Sequence, residues 1–169
     1  VSHPAMISYL VRHGIAEERS PERADGERAL TAEGIRKMRQ AVDGLHRLEV
    51  KPGAIWSSPL CRAQDTATLL ATGLGIKSSA NCAALAPEGD QAALLTAMET
   101  APAPLMLVGH QPDLGLLASR ILTGDPAAVD LPFKKGGVAC ITWNGHEPTG
   151  LGQLEWFLTP AQLRLIGRA

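Results

Sequence analysis

Arg12, His13 and Gly14 follow directly on a short apolar run, Ile7-Ser8-Tyr9-Leu10-Val11. The run reads as a buried strand that Gly14 ends. An arginine and a histidine at the mouth of such a strand suit a site better than a core. Two further segments repeat the pattern: Ser57-Ser58-Pro59-Leu60-Cys61-Arg62-Ala63 and Val108-Gly109-His110-Gln111-Pro112. Two arginines and two histidines, each at a strand end or a helix start, are what phosphoryl transfer through a phosphohistidine requires. Arg12 and Arg62 offer forked, permanently charged donors to a phosphate. His110 stands just before a helix start, a position that suits anions. His13 is the candidate nucleophile: a neutral ring nitrogen attacks phosphorus, and water then hydrolyses the phosphohistidine. A carbonyl accepting the other ring N–H would fix the tautomer. The nearby cations favour neutral His13 and stabilise charge on the transferring phosphoryl group.

These residues need a scaffold that gathers strand ends. Strand-like and helix-like runs alternate along the chain, which predicts a three-layer α/β/α sandwich: a mostly parallel sheet with helices on both faces. Expected strands are Ile7 to Arg12, Ala54 to Ser57, Leu105 to Val108, Val138 to Trp143 and Gln153 to Leu158, the last two as an antiparallel hairpin. Thr31 caps a helix with apolar Ile35, Met38, Val42 and Leu45 at helical spacing. A second helix opens at Ser58-Pro59, with Ser58 as its N-cap, and ends near Gly73 and Gly75. Others start at Gly89-Asp90, at Pro112-Asp113 and at Thr159-Pro160. Lys77 to Ala86 reads as irregular or short strand. In open α/β sheets ligands bind beyond the carboxyl ends of the strands, so Arg12-His13, Ser57-Ser58 and His110 converge. Arg62, one helical turn after Ser58, faces the same place.

The bulk numbers are ordinary for a globular protein: 169 residues, 45% hydrophobic, 20% charged and a net charge of −1. One domain is expected over 6–169, with 1–5 read as a loose tail or cloning remnant. No basic stripe points to nucleic acid, so phosphate attraction must be local. No stretch approaches the roughly 18 consecutive apolar residues of a membrane helix, and no signal pattern appears. Cys61, Cys82 and Cys140 lack metal-ligand spacing and read as reduced thiols of a cytoplasmic protein.

Four segments in order resemble the histidine phosphatase superfamily, the phosphoglycerate-mutase-like proteins. They are Leu10 to Gly14, Leu30-Thr31-Ala32-Glu33-Gly34, Ser57 to Ala67, and Val108-Gly109-His110. The short length, with Leu85 to Asp90 and Lys135 to Ala139, resembles the SixA-type phosphohistidine phosphatase branch. The resemblance implies that His13 is phosphorylated, that Arg12, Arg62 and His110 form the phosphate pocket, and that no metal or other cofactor is used. One departure stands out. Many members carry a catalytic glutamate two positions after a leucine in the middle segment, and here Leu85 is followed at that spacing by Pro87. Glu88, Asp90 and Glu17 are left as candidate proton donors.

Blander roles stand beside these. Arg62 alone would be a solvated helix residue, and His110 alone a cap or core residue. Ser58 is a cap that also has reach to phosphate, and Gln111 is either a substrate contact or a loop residue. Lys134 and Lys135 either steer phosphate or are solvated charges, and the charged segment Glu17 to Arg28 is a solvated loop with room to gate the pocket. His3 and His46 read as structural or solvent-facing, His146 lies in a turn, and Trp56, Trp143 and Trp156 read as packing.

The expectation is a metal-independent phosphatase working through His13. Its substrate would be phosphohistidine on a signalling protein such as a histidine phosphotransfer domain. The rivals are a phosphatase for small phosphomonoesters, a mutase, and a non-catalytic phosphoprotein-binding module. A phosphorylated nitrogen leaves more easily than an alkoxide, and the short chain lacks room for a capping insertion; both favour the protein-borne phosphate.

Overall fold

A computed structural model describes residues 5–144 and 150–169; His3 and His146 lie outside them. Six strands form one sheet: β1 (Ala5–Arg12), β2 (Ala54–Ser57), β3 (Ser79–Asn81), β4 (Leu105–Gly109), β5 (Val138–Asn144) and β6 (Gln153–Leu158). Their order is β3-β2-β4-β1-β5-β6. The pairs β3/β2, β2/β4 and β4/β1 are parallel, and β1/β5 and β5/β6 are antiparallel. The expected hairpin is β5–β6. The mostly parallel description holds for the left half of this order and not for β5, which runs against β1. β1 begins at Ala5, inside the segment read as a tail.

The central strands are apolar on both sides because both sides are covered. In β1, Leu10 faces one core, while Tyr9 and Val11 face the other. In β4, Leu107 matches Leu10, while Met106 and Val108 match Tyr9 and Val11. Helices α3 (Gln91–Met98) and α4 (Asp113–Thr123) cover the first face with Leu94, Met98, Leu117 and Ile121. Helices α1 (Ala32–Arg47), α2 (Cys61–Leu74) and α5 (Pro160–Arg168) cover the second with Val42, Leu45, Leu70 and Leu163. The three-layer expectation is therefore met.

Local signals explain most helix ends. Thr31 Oγ1 accepts the Gly34 N–H at 2.9 Å, and Asp90 Oδ1 accepts the Ala93 N–H at 3.0 Å. Thr159 and Gln162 form a reciprocal capping box at the start of α5. Gly75 closes α2 in the left-handed region, at φ 71°. Ser58 departs from expectation. The N-cap of α2 is Leu60, two residues later, and its side chain makes no capping bond. Trp143 donates from its indole to Ser8 Oγ at 2.9 Å in the core, and Trp156 lies against Tyr9, so both act in packing. His46 is exposed. No described helix is long and apolar enough to cross a membrane.

Candidate active site

The parallel strands deliver their carboxyl ends to one place. Arg12 pairs with Gly109 across β1 and β4, and Ser57 pairs with Val108 across β2 and β4. The His13 N–H donates to the Gly109 carbonyl at 3.1 Å, and the Arg12 N–H to the Gly137 carbonyl at 3.1 Å. In return the Gly136 N–H is shared between the Arg12 and His13 carbonyls, at 3.0 and 3.1 Å. Gly136 has φ 87°, a conformation that a side chain strains. The turn into β5 therefore clamps the loop after β1 from one side, and the end of β4 clamps it from the other.

A cavity of about 350 Å³ opens at this rim. Arg12, His13, Arg62 and His110 all line it, so the four residues singled out from sequence stand together. The His13 and His110 rings lie 5.1 Å apart, centroid to centroid. His13 is buried, with Nδ1 at 2.7 Å from the Gly14 carbonyl oxygen. A carbonyl only accepts, so Nδ1 carries the proton and Nε2 keeps its lone pair. Burial is the largest influence on this ring and lowers its pKa. The bond to Gly14 opposes that, and the charges of His110, Arg62 and Arg12 add to it; the result is about 3. His13 is thus neutral near pH 7, with a lone pair on Nε2.

His110 is held neutral in the same way. Burial and the Arg62 charge lower it to about 4, against an opposing pull from Asp25. Its Nε2 lies 2.7 Å from Ser58 Oγ. Ser58 Oγ already accepts the Leu60 N–H at 3.2 Å, so its hydroxyl is free to donate to Nε2. That assignment puts the His110 proton on Nδ1, which is buried with no hydrogen-bond partner among the described residues. Ser58 itself is fully buried behind His110 and does not line the cavity.

The arginines are each half-anchored. Arg12 donates from Nη1 to the Phe133 carbonyl at 2.7 Å, and its Nε has no partner among the described residues. Arg62 donates from Nη1 to the Asp25 carbonyl at 3.0 Å and from Nη2 to Asp25 Oδ2 at 3.1 Å; its Nε likewise has no partner among the described residues. Burial lowers both guanidinium pKa values, and Asp25 opposes this at Arg62, yet both stay charged at neutral pH. Gln111 lines the cavity with both ends of its amide committed, Nε2 to the Leu131 carbonyl and Oε1 to the Gly115 N–H. Lys135 lines the cavity and Lys134 does not.

The segment from Glu17 to Arg28 is where sequence reasoning fell short. It is no merely solvated loop, since Arg19, Asp25 and Arg28 all line the cavity. Asp25 sits in a single turn of 3₁₀ helix and accepts from Arg28 Nε at 2.9 Å. Partial burial pushes its carboxyl up, but the Arg28 hydrogen bond and the charges of Arg62 and Arg28 hold it below the ordinary carboxylate range. The one available signal was the Asp25–Arg28 spacing, an opposite-charge pair three residues apart. Of the candidate proton donors, Glu88 lies in the left-handed region on the surface, Asp90 caps α3, and Glu17 is tied to the Ala29 N–H and to Arg23. None of the three lines the cavity.

The geometry thus offers a neutral ring nitrogen beside several cations and a neutral imidazole donor, an arrangement built for a phosphoryl group. A family profile described as the histidine phosphatase superfamily (branch 1) matches residues 8–82. An uncharacterized protein of Picosynechococcus sp. is 39% identical over 137 residues, which cover 79% of this chain and 82% of that one. Phosphohistidine phosphatase SixA of Escherichia coli K12 is 26% identical over 165 residues, covering 95% and 98%. Among solved structures, the protein histidine phosphatase SixA complexed with tungstate superposes with a TM-score of 0.78 at 26% identity, covering 94% of this chain and 99% of that one. A phosphoglycerate mutase of Bacillus anthracis gives 0.67 at 15% identity, with 99% of each chain covered, a likeness of fold alone.

Proposed function

The chain belongs to the histidine phosphatase superfamily, whose membership supports phosphatase activity, and from that premise we propose that it removes phosphate from phosphohistidine on a protein. The reading rests on one observation. Among the described residues, the only carboxylate lining the cavity is Asp25, and it is ion-paired with Arg62 and Arg28 and held ionised. An ionised, paired carboxylate is a poor general acid. An alkyl phosphate needs such an acid, because an alkoxide is a poor leaving group. A phosphohistidine protonated on its second ring nitrogen needs none: as the P–N bond breaks, the electron pair returns to the ring and neutral imidazole departs.

His13 Nε2 supplies the attacking pair. The new P–N bond leaves a positive charge on the His13 ring, whose Nδ1–H is already held by the Gly14 carbonyl. Arg12, Arg62 and the Nδ1–H of His110 stabilise the phosphoryl oxygens. Water then attacks phosphorus, the P–N bond to His13 breaks, and inorganic phosphate leaves with His13 neutral again on the same tautomer. The route asks for no metal ion. Ser58 positions His110, the Phe133 carbonyl holds Arg12, and Gln111 lines the cavity.

The test is release of phosphate from a phosphohistidine-bearing phosphotransfer domain and from p-nitrophenyl phosphate, with wild type and His13→Ala, in EDTA. Rapid loss from the protein substrate that depends on His13 supports the reading. Activity on the aryl ester alone moves the function to small-molecule hydrolysis, and full activity in His13→Ala overturns the nucleophile.

A further inference from the structure

A second cavity of about 350 Å³ lies beside the catalytic one, between the loop after β1, α1 and α5. Its apolar lining is Ile15, Met38, Pro160 and Ala161, with Met38 buried and forming its floor against Ile15 and Pro160. Its rim carries Lys37, Lys134, Lys135 and Arg164, a quarter of the chain's 16 basic residues. Lys37 is paired with Glu33 at 2.9 Å; the other three have no ion pair among the described residues. With a net charge of −1, the chain has no general basic excess, so this cluster is local. An apolar floor of ligand-binding size under a cationic rim fits a group that is apolar and anionic together.

Position says where such a group comes from. Lys135 lines both cavities, and Gly14, next to the nucleophile, lines the second. A substrate with its phosphoryl group against His13 therefore continues past Lys135 into the second cavity. We propose that this cavity receives acidic and apolar side chains flanking the phosphohistidine on the substrate protein, held by Lys37, Lys135 and Arg164 over Met38 and Pro160. The proposal rests on the phosphohistidine reading above and adds what the protein selects around the phosphorylated residue. The apolar floor supplies affinity by burial, and the cations supply register and speed of encounter.

The experiment compares two phosphohistidine peptides, one flanked by Asp, Glu and Leu and the other by Ser and Gln, with p-nitrophenyl phosphate as a probe too small to leave the catalytic cavity. The proteins are wild type, Lys37→Glu with Arg164→Glu, and the milder Lys37→Gln with Arg164→Gln, all outside the catalytic cavity. Wild type is expected to favour the acidic peptide about tenfold in kcat/KM, chiefly through KM, for roughly 1.4 kcal/mol of selective binding. Charge reversal should remove that preference and leave aryl-ester hydrolysis within about twofold, with the neutral variant between. Equal hydrolysis of both peptides by wild type overturns the proposal, as does a preference that survives charge reversal. If wild type cleaves the aryl ester and neither peptide, the phosphohistidine reading itself falls and takes this one with it.

Discussion

Asp25 and Arg62 meet twice at the edge of the cavity lined by His13 and His110. The Asp25 carboxylate lies 3.1 Å from Arg62 Nη2, and its backbone carbonyl accepts from Nη1 at 3.0 Å. The side chain of Arg62 is 4% exposed and that of Asp25 45%. The buried partner is thus enclosed by the fold, and the half-exposed one is also held by Arg28 Nε at 2.9 Å. In the proposed function, an incoming phosphoryl group competes with the Asp25 carboxylate for the same guanidinium.

Asp25→Asn should therefore tighten inhibition by vanadate about three- to tenfold, a modest effect because solvent screens the half-exposed charge. Arg62→Ala should weaken it by roughly tenfold to a hundredfold, since a charge-assisted hydrogen bond contributes about 1.5–3 kcal/mol. Inhibition constants at fixed salt decide it; weaker binding in Asp25→Asn would show that the carboxylate organises the site and does not compete for it.

Ser58→Ala should lower stability by about 1–3 kcal/mol, because it leaves the part-buried Leu60 N–H and the buried His110 Nε2 without a partner. It should also lower kcat/KM for any phosphate substrate by freeing the His110 ring. Urea unfolding and steady-state kinetics check the two effects, and an unchanged kcat/KM would remove the positioning role.

Gly34→Ala should cost about 1–3 kcal/mol through steric overlap. A Cβ there would sit inside the radius of the Ile15 carbonyl oxygen, and that backbone has nowhere to go. Since Ile15 is two residues from His13, activity should fall with stability. A thermal melt matching wild type would show that α1 moves aside freely.

The two site histidines make a pH prediction with a definite sign. Each has an ordinary value of 6.5, moved in the fold to about 3 for His13 and about 4 for His110. Between those values the unfolded chain binds more protons, so acid favours unfolding. Their contribution to stability is complete above about pH 6.5 and is lost as pH falls toward 4, at up to about 1.4 kcal/mol per pH unit for each ring. Urea midpoints from about pH 7 to pH 4.5 should fall more steeply for wild type than for His13→Gln with His110→Gln. Superimposable curves would mean that neither ring is held neutral.

Much of this was legible in the sequence wherever local chemistry decides. β1 and β4 announce themselves because buried central strands are apolar on both sides, and Thr31, Asp90 and Thr159 because capping is a short-range bond. The meeting of Arg12, His13, Arg62 and His110 followed from strand ends collecting at one rim. Ser58 misled because a serine before a proline satisfies the capping pattern, while a buried histidine from a distant strand claimed its hydroxyl. Asp25 and Arg28 were hidden for a similar reason. A run of mixed charges has no periodicity, and only the folded position of Arg62, 37 residues from Asp25, gives the segment its role. The direction of β5 was equally a matter of topology, to which strand composition is blind.

That reversed strand divides the molecule into a working rim and a quiet one. Because β5 runs against β1, it starts opposite Val11 and ends at Asn144, opposite Ala5. Whatever leads into β5 is placed beside His13, so a change of length just before Val138 re-shapes the entrance to the cavity that His13 lines. The pairing of Ala5 with Asn144 lies at the far edge, six residues of β1 away from where Val11 meets Val138. A side chain exchanged at Ala5, which is exposed, acts at that far edge and leaves the cavity lined by His13 undisturbed.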